Sequence, residues 1–165
     1  MTSSGGLTLR PVQTSDVDLL VAMHGRLSTT SLYNRYHLPR VPTRQEIEQV
    51  CQLDGMNGAA IVAVLPAKEQ QIVGLGYYLV TGEATAETAF VVEDSYQGLG
   101  IGRQLLRELI KVARKAGVRF FDAYVLPSNR PMMRLLTHAG SVIYNRIDYG
   151  AREIRVQIPK MSQPL

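Results

Sequence analysis

The segment SYQGLGIGRQLLREL, residues 95–109, constrains this chain more than any other. Gly98, Gly100 and Gly102 alternate, and a run with helical spacing follows at once: Leu105, Leu106, Leu109, Ile110 and Ala113 fall on one face. An apolar run through Val91 and Val92 ends just ahead of it, at Glu93. Strand, bare turn and helix in that order leave the first N–H groups of the helix without intrahelical partners. Together with the helix dipole they make an anion site. Glycines let a pyrophosphate reach the backbone with no Cβ in the way. Arg103, in the first turn, adds a charge-assisted contact.

Two familiar phosphate loops do not fit. The P-loop needs Lys and a hydroxyl after its last glycine, but Arg103 and Gln104 follow Gly102. The dinucleotide fingerprint finds its first half in Gly98 and Gly100, but Arg103 stands where the third glycine belongs. What remains is Q-x-x-G-x-G, met by Gln97, Gly100 and Gly102.

The rest of the chain supplies a sheet. Residues 7–12 alternate apolar with polar and carry Pro11, which predicts an edge strand. Thr14 or Ser15 caps a helix running to Arg26. STTSLYNRYHLPR predicts a second short helix closed by Pro39, and Thr43 with Glu46 opens a third through a capping box. AAIVAVL and QIVGLGYYLV predict strands divided by the polar turn AKEQ, and AETAFVVED a further strand. VRFFDAYVL is a strand, and SNRPMMRLLTHAG a helix capped by Ser128 or Asn129 and stopped by Gly140. SVIYNRI and REIRVQI form a hairpin about residues 148–150. The fold class is α/β (α+β): a mixed, mostly antiparallel sheet of about seven strands with helices on both faces. No repeat or linker interrupts it, which predicts a single domain over residues 1–159 and a loose tail over 160–165.

Composition excludes more than it selects. A chain of 165 residues with 45% hydrophobic and 19% charged residues reads as an ordinary soluble domain. The N-terminus lacks the basic stretch and apolar core of a secretory signal, and AAIVAVL is too short to cross a bilayer. The lone Cys51 rules out a disulfide framework and predicts a reducing, cytoplasmic setting. It reads as a core residue. The net charge of +4 gathers on Arg103, Arg107, Lys111, Arg114, Lys115 and Arg119. With no aromatic or recognition-helix pattern beside them, these favour a phosphate ligand over nucleic acid, and most form a solvated helix face. His24, His37 and His138 are scattered, with no spacing for a metal. Met132 and Met133 pack on the sheet or line the ligand site.

Glu87 is the candidate general base. It sits in AETAFVV among small and apolar neighbours, surroundings that disfavour a carboxylate's charged form. Glu83, in the preceding turn, and Glu93, at the strand end, are the alternatives, and both read as surface residues.

AFVVEDSYQGLGIGRQLL resembles the acyl-CoA-binding core of the GNAT acetyltransferase superfamily. LTLRPVQTSDVDLL is similar to its opening strand and helix, and VLPSNRPMMRLLTHAG to its late strand and helix. STTSLYNRYHLPR and AETAFVVEDSYQGLG look most like bacterial protein lysine acetyltransferases. The resemblance implies acetyl-CoA as cosubstrate and a monomer or dimer, with no nucleic-acid or membrane partner. It implies that the pantetheine arm pairs with backbone at Phe90, Val91 and Val92. The diphosphate would rest on Gln97, Gly98, Leu99, Gly100, Ile101, Gly102 and Arg103. Asn129 matches the CoA-contacting asparagine and reads equally as a plain N-cap, with Met132 beside it. Glu87 matches the family's base. Tyr33, Arg35 and Tyr36 fall where the family flanks its acceptor groove, and read equally as helix packing. Many members carry a tyrosine acid where this chain has Leu136. The acid therefore stays open between water and Tyr144. The function implied is transfer of an acetyl group to a primary amine, a protein lysine first. A small-molecule amine, or a non-catalytic acyl-CoA-binding role, stands as the alternative.

Overall fold

A computed structural model describes residues 6–66 and 70–160 of the chain. Seven strands form one sheet in the order β1-β2-β3-β4-β5-β7-β6. They are β1 (Thr8–Pro11), β2 (Gly58–Leu65), β3 (Gln71–Gly82), β4 (Thr85–Val92), β5 (Phe120–Val125), β6 (Ser141–Asp148) and β7 (Ala151–Gln157). Every neighbouring pair is antiparallel except β4 and β5. β1 is an edge strand, as Pro11 predicts, because proline has no N–H to give a second neighbour.

Helices cover both faces. On one lie α1 (Val17–Gly25), α2 (Thr29–Tyr36) and α3 (Arg44–Cys51). Leu20, Met23, Ile47 and Cys51 pack there on Val62, Ile72, Leu75 and Val91. On the other lie α4 (Ile101–Lys115) and α5 (Arg130–Thr137), where Leu105, Leu109 and Leu136 meet Tyr78, Phe90, Phe121 and Ile154. α4 buries the face its spacing predicts. It sits close to β3, where a Cβ on Gly74 would lie 3.1 Å from Leu105 Cδ1.

The caps follow the sequence with two exceptions. Thr43 and Glu46 form the capping box of α3, Ser28 caps α2, and the Asn129 side chain caps α5 by accepting from the Met132 N–H at 3.3 Å. The first helix opens with a short 3-10 turn (Thr14–Asp16). Its box is made by Gln13 and Asp16 rather than by Thr14 or Ser15, and the Arg10 guanidinium holds the Asp16 carboxylate at 2.7 Å. α2 ends at His37 in a left-handed conformation (φ 58°), two residues before Pro39. Most of the turn AKEQ and all but Lys160 of the expected tail lie outside the described residues.

Candidate active site

β4 and β5 run side by side for three register pairs only: Thr85 with Phe120, Ala86 with Phe121, and Glu87 with Asp122. Beyond Glu87 the two strands part, while β4 continues against β3 to Val92. One edge of residues 88–92 is therefore open. The Glu93 N–H donates to Val73 O at 2.8 Å, which fixes the alternation along this antiparallel pair. Odd-numbered residues of β4 bond to β3, and Thr88, Phe90 and Val92 turn their N–H and C=O toward the gap. The expectation of backbone contact at Phe90 and Val92 suits this geometry. Val91 differs: its peptide groups serve β3, and it lines the cleft through its side chain.

The gap opens into a cleft of about 890 Å³ whose far end is the glycine turn. Gly98 and Gly100 hold positive φ of 75° and 83°, a conformation only glycine adopts without strain, and a Cβ on either would point into open space. Gly102 is different, since a Cβ there would make ordinary contact with Leu135 of α5. Among the described residues the N–H groups of 98–103 donate to no protein acceptor, and the first bond of α4 is Gln104 N–H to Gly100 O. Six bare donors at a helix start, with Arg103 and Arg134 on the rim, fit a diphosphate. Leu99, expected in the same cradle, is exposed and does not line the cleft. Of the basic cluster on α4, Arg103 alone lines the cleft; Lys111 pairs with Glu108, and Arg114 donates to Pro159 O.

Gln97 has a structural duty as well. Its Nε2 donates to Val92 O at 2.9 Å and to Ser31 Oγ at 3.1 Å. Asp94 accepts from the Ser28 N–H, Ser28 Oγ and Ser31 Oγ. The turn is thereby fastened to the start of α2. Asn129 and Met132 line both this cleft and a smaller cavity beyond it.

That second cavity, about 280 Å³, continues the gap past the thioester end expected for the cleft. Glu87, Tyr124, Arg35, Tyr36 and His37 face it. Glu87 is exposed, not enclosed as its sequence neighbours suggest, because strand alternation buries Ala86 and Thr88 and turns Glu87 outward. It makes no hydrogen bond or ion pair among the described residues. Asp122, directly opposite, is taken up by Arg155 through contacts of 2.7 and 2.8 Å. The free carboxylate at the fork is therefore that of Glu87. The His37 ring is pushed toward its neutral form by burial and by Arg35, and it lies beside the Tyr124 backbone.

Other candidates fall elsewhere. Glu93 is buried, not on the surface, and its carboxylate accepts from Arg26 Nε at 3.0 Å. Glu83 is exposed in the turn between β3 and β4, away from both cavities. Leu136 is wholly buried in the core. Tyr144 lies on β6, donates to Glu153, and lines neither cavity. Tyr33 is exposed and also lines neither. Cys51 is buried and its thiol is pushed up to about 11 by desolvation, as suits a core residue. Tyr124 and His37 emerge as lining residues only from the fold. Tyr124 follows Asp122 by two on the same strand face, a signal readable once the Glu87–Asp122 register is known.

A sheet forked between parallel strands, with bare helix-start amides at one end of the gap and, among the described residues, an unpaired carboxylate at the other, has the form of a group-transfer fold. The sequence matches the Acetyltransferase (GNAT) family over residues 27–140. The chain belongs to that family, whose cosubstrate is acetyl-CoA. It is 34% identical over 155 residues to Acetyltransferase Pat of Mycolicibacterium smegmatis, covering 93% of this chain and 46% of that protein. It thus spans less than half the length of that relative. The GNAT domain of S. lividans PAT superposes with a TM-score of 0.80 at 25% identity, covering 91% of this chain and 89% of that one. The yncA protein of Salmonella typhimurium, solved with its cofactor acetyl-CoA, shares the fold at a TM-score of 0.72 and 17% identity, covering 97% and 98%.

Proposed function

We propose that this chain moves an acetyl group from acetyl-CoA to a lysine side chain of a protein, by direct attack with Glu87 as general base. The observation that carries the reading is the fork. β4 and β5 part immediately after the Glu87–Asp122 pair, so a pantetheine arm completing the open edge aims its thioester at Glu87.

The lysine amine must be neutral to attack. With an ordinary pKa near 10.4, about one in 10³ is ready at neutral pH, a handicap of roughly 4 kcal/mol. Glu87 removes the ammonium proton at the mouth of the smaller cavity, directly or through one water, and returns it to solvent, to which it is open. The amine nitrogen bonds to the acetyl carbon as the carbon–sulfur bond breaks, and the second proton on that nitrogen leaves to solvent or to the departing thiolate, giving the neutral amide. A thiolate, with a thiol pKa near 8.5, leaves without a dedicated acid. That suits a chain with Leu136 in the core and Tyr144 elsewhere. The unbonded amides of residues 98–103 hold the diphosphate, and the edge at Phe90 and Val92 holds the arm.

Acceptors that are small polycations gain no support. They call for an acidic groove, and the smaller cavity presents one carboxylate, Glu87, against the Arg35 cation. The test is to incubate the protein with labelled acetyl-CoA and a bacterial lysate and locate the label by mass spectrometry. Label on lysine, lost with Glu87→Gln, is the expected outcome. Firm acetyl-CoA binding with no transfer to any amine would leave a binding domain instead.

A further inference from the structure

We infer that Arg35 is a specificity-determining residue that receives a carboxylate carried beside the acceptor amine. The inference rests on the amine-transfer reading and adds to it the chemistry of the acceptor's surroundings.

Six of the fourteen arginines are held by carboxylates, and Arg35 is not one of them. Arg10, Arg26, Arg40, Arg44, Arg146 and Arg155 each pair with a carboxylate. Arg35 pairs with none among the described residues. Its guanidinium lies 4.5 Å from the Tyr36 ring centroid and 5.1 Å from that of Tyr77, and an Nη donates to the Tyr77 hydroxyl. Its Nε is shielded from solvent and bonded to nothing. A guanidinium that lines a cavity with no carboxylate partner leaves its charge uncompensated there, and an anion reaching its open edge would be held strongly.

Its position says what that is. Tyr77 lies directly across β3–β4 from Ala89, and Leu79 directly across from Glu87. Tyr77 and Glu87 are therefore diagonal neighbours on the α2 face of the sheet, where Arg35 sits. Arg35 lines the cofactor cleft and the smaller cavity alike, at their junction. It stands one helical turn beyond Ser31, which Gln97 of the glycine turn contacts, toward the Glu87 end of the gap. The neighbouring histidines add no second cation: His37, just past the end of α2, and the buried His24 of α1 are both held toward neutrality, by burial first and in part by Arg35. The wall thus offers one uncompensated cation, and the opposite wall one free carboxylate. An acceptor that satisfies both carries its amine toward Glu87 and an anion toward Arg35. A guanidinium takes a carboxylate through paired N–H donors, so the preferred anion is planar and bidentate.

The carboxylate has two possible sources, an acidic residue beside a peptide lysine or the acceptor's own carboxylate in a free amino acid. Matched acceptors separate them: Lys-Glu against Lys-Gln peptides, and lysine against lysinamide. The acid is expected to exceed its amide by tenfold or more in kcat/KM, through KM, in the arm that supplies the natural source. Arg35→Gln should bring acid and amide to the same value, and Arg35→Lys should keep part of the preference. Calorimetry with the acetylated acid and amide products gives a readout free of turnover. Tighter binding of the acid product, lost in Arg35→Gln, supports the inference even where no amine is acetylated, in which case the amine-transfer reading falls alone. Equal kcat/KM for acid and amide in both arms overturns the inference while that reading stands. So does an Arg35→Gln protein that lowers both acceptors yet keeps the preference. Should Arg35→Gln fail to fold, the wild-type comparison and Arg35→Lys decide. No preference in either turnover or binding overturns the inference.

Discussion

The two cavities along β4 are built from different materials. The cofactor cleft presents backbone where the arm and the diphosphate would lie, the open edge of β4 and the bare amides of the turn before α4, between side chains of α2 and α5. The smaller cavity is side chain: Glu87 from β4, Tyr124 from β5, and Arg35, Tyr36 and His37 from α2 and its end. A backbone surface offers the same donors whatever the neighbouring side chains, which suits a ligand common to a whole family. A side-chain surface changes with every substitution, which suits an acceptor particular to one member. The two share Asn34, Arg35, Phe90, Asn129 and Met132 at their junction, where the acetyl group would change hands.

The separation of binding from chemistry is the sharpest thing to break. Gly100→Glu places a Cβ at φ 83° and an anion where the diphosphate belongs, and it should remove acetyl-CoA binding altogether. Calorimetry checks this on protein whose circular dichroism is unchanged. Normal affinity there would end the assignment of the turn. Glu87→Gln should do the reverse, lowering kcat by about 10²- to 10⁴-fold while the acetyl-CoA Kd holds. A thiol-release assay at saturating acetyl-CoA reads it, and unchanged turnover would unseat Glu87.

Two smaller effects bear on the frame behind the cavities. Arg26→Ala strands the buried Glu93 carboxylate at the end of β4 and should cost about 2 kcal/mol of stability, seen as a lower urea midpoint. Arg26 lines neither cavity, so an equal loss in acetyl-CoA affinity would show that the cleft depends on more than its own backbone. The smallest effect comes from His24, buried under Tyr36 with Nε2 at 2.6 Å from the phenol. Burial holds its pKa below the ordinary 6.5, so the unfolded chain takes up the proton first. Stability therefore falls as pH drops below 6.5 toward the folded value, by about 1 kcal/mol between pH 7 and 5.5. His24→Gln should flatten that slope, and a slope left intact would assign it to His37.

The sequence made the cleft legible and the smaller cavity hardly at all. Gly98 and Gly100 could be read because a turn into a helix needs that backbone, and the α4 stripe because its period is local. The length of the β4–β5 pairing is not local. It depends on how two strands separated by a helix diverge, and no residue between 85 and 125 announces where they part. Glu87 could be named as a candidate, but its exposure could not, since alternation rather than flanking composition decides which way it turns. Glu93 looked like a surface residue because its partner, Arg26, lies 67 positions away. Asn129 proved to be both of the things its position allowed, cap and cleft wall.

α2 crosses the fork like a strut. Its start is tied to the glycine turn through Ser28, Ser31, Asp94 and Gln97, and its end rests beside Tyr124 on the far strand. Prising the fork wider would mean tearing those serine contacts, so the slot is gauged before anything enters it. An incoming thioester finds its width already set, and the entropy of setting it has been spent during folding.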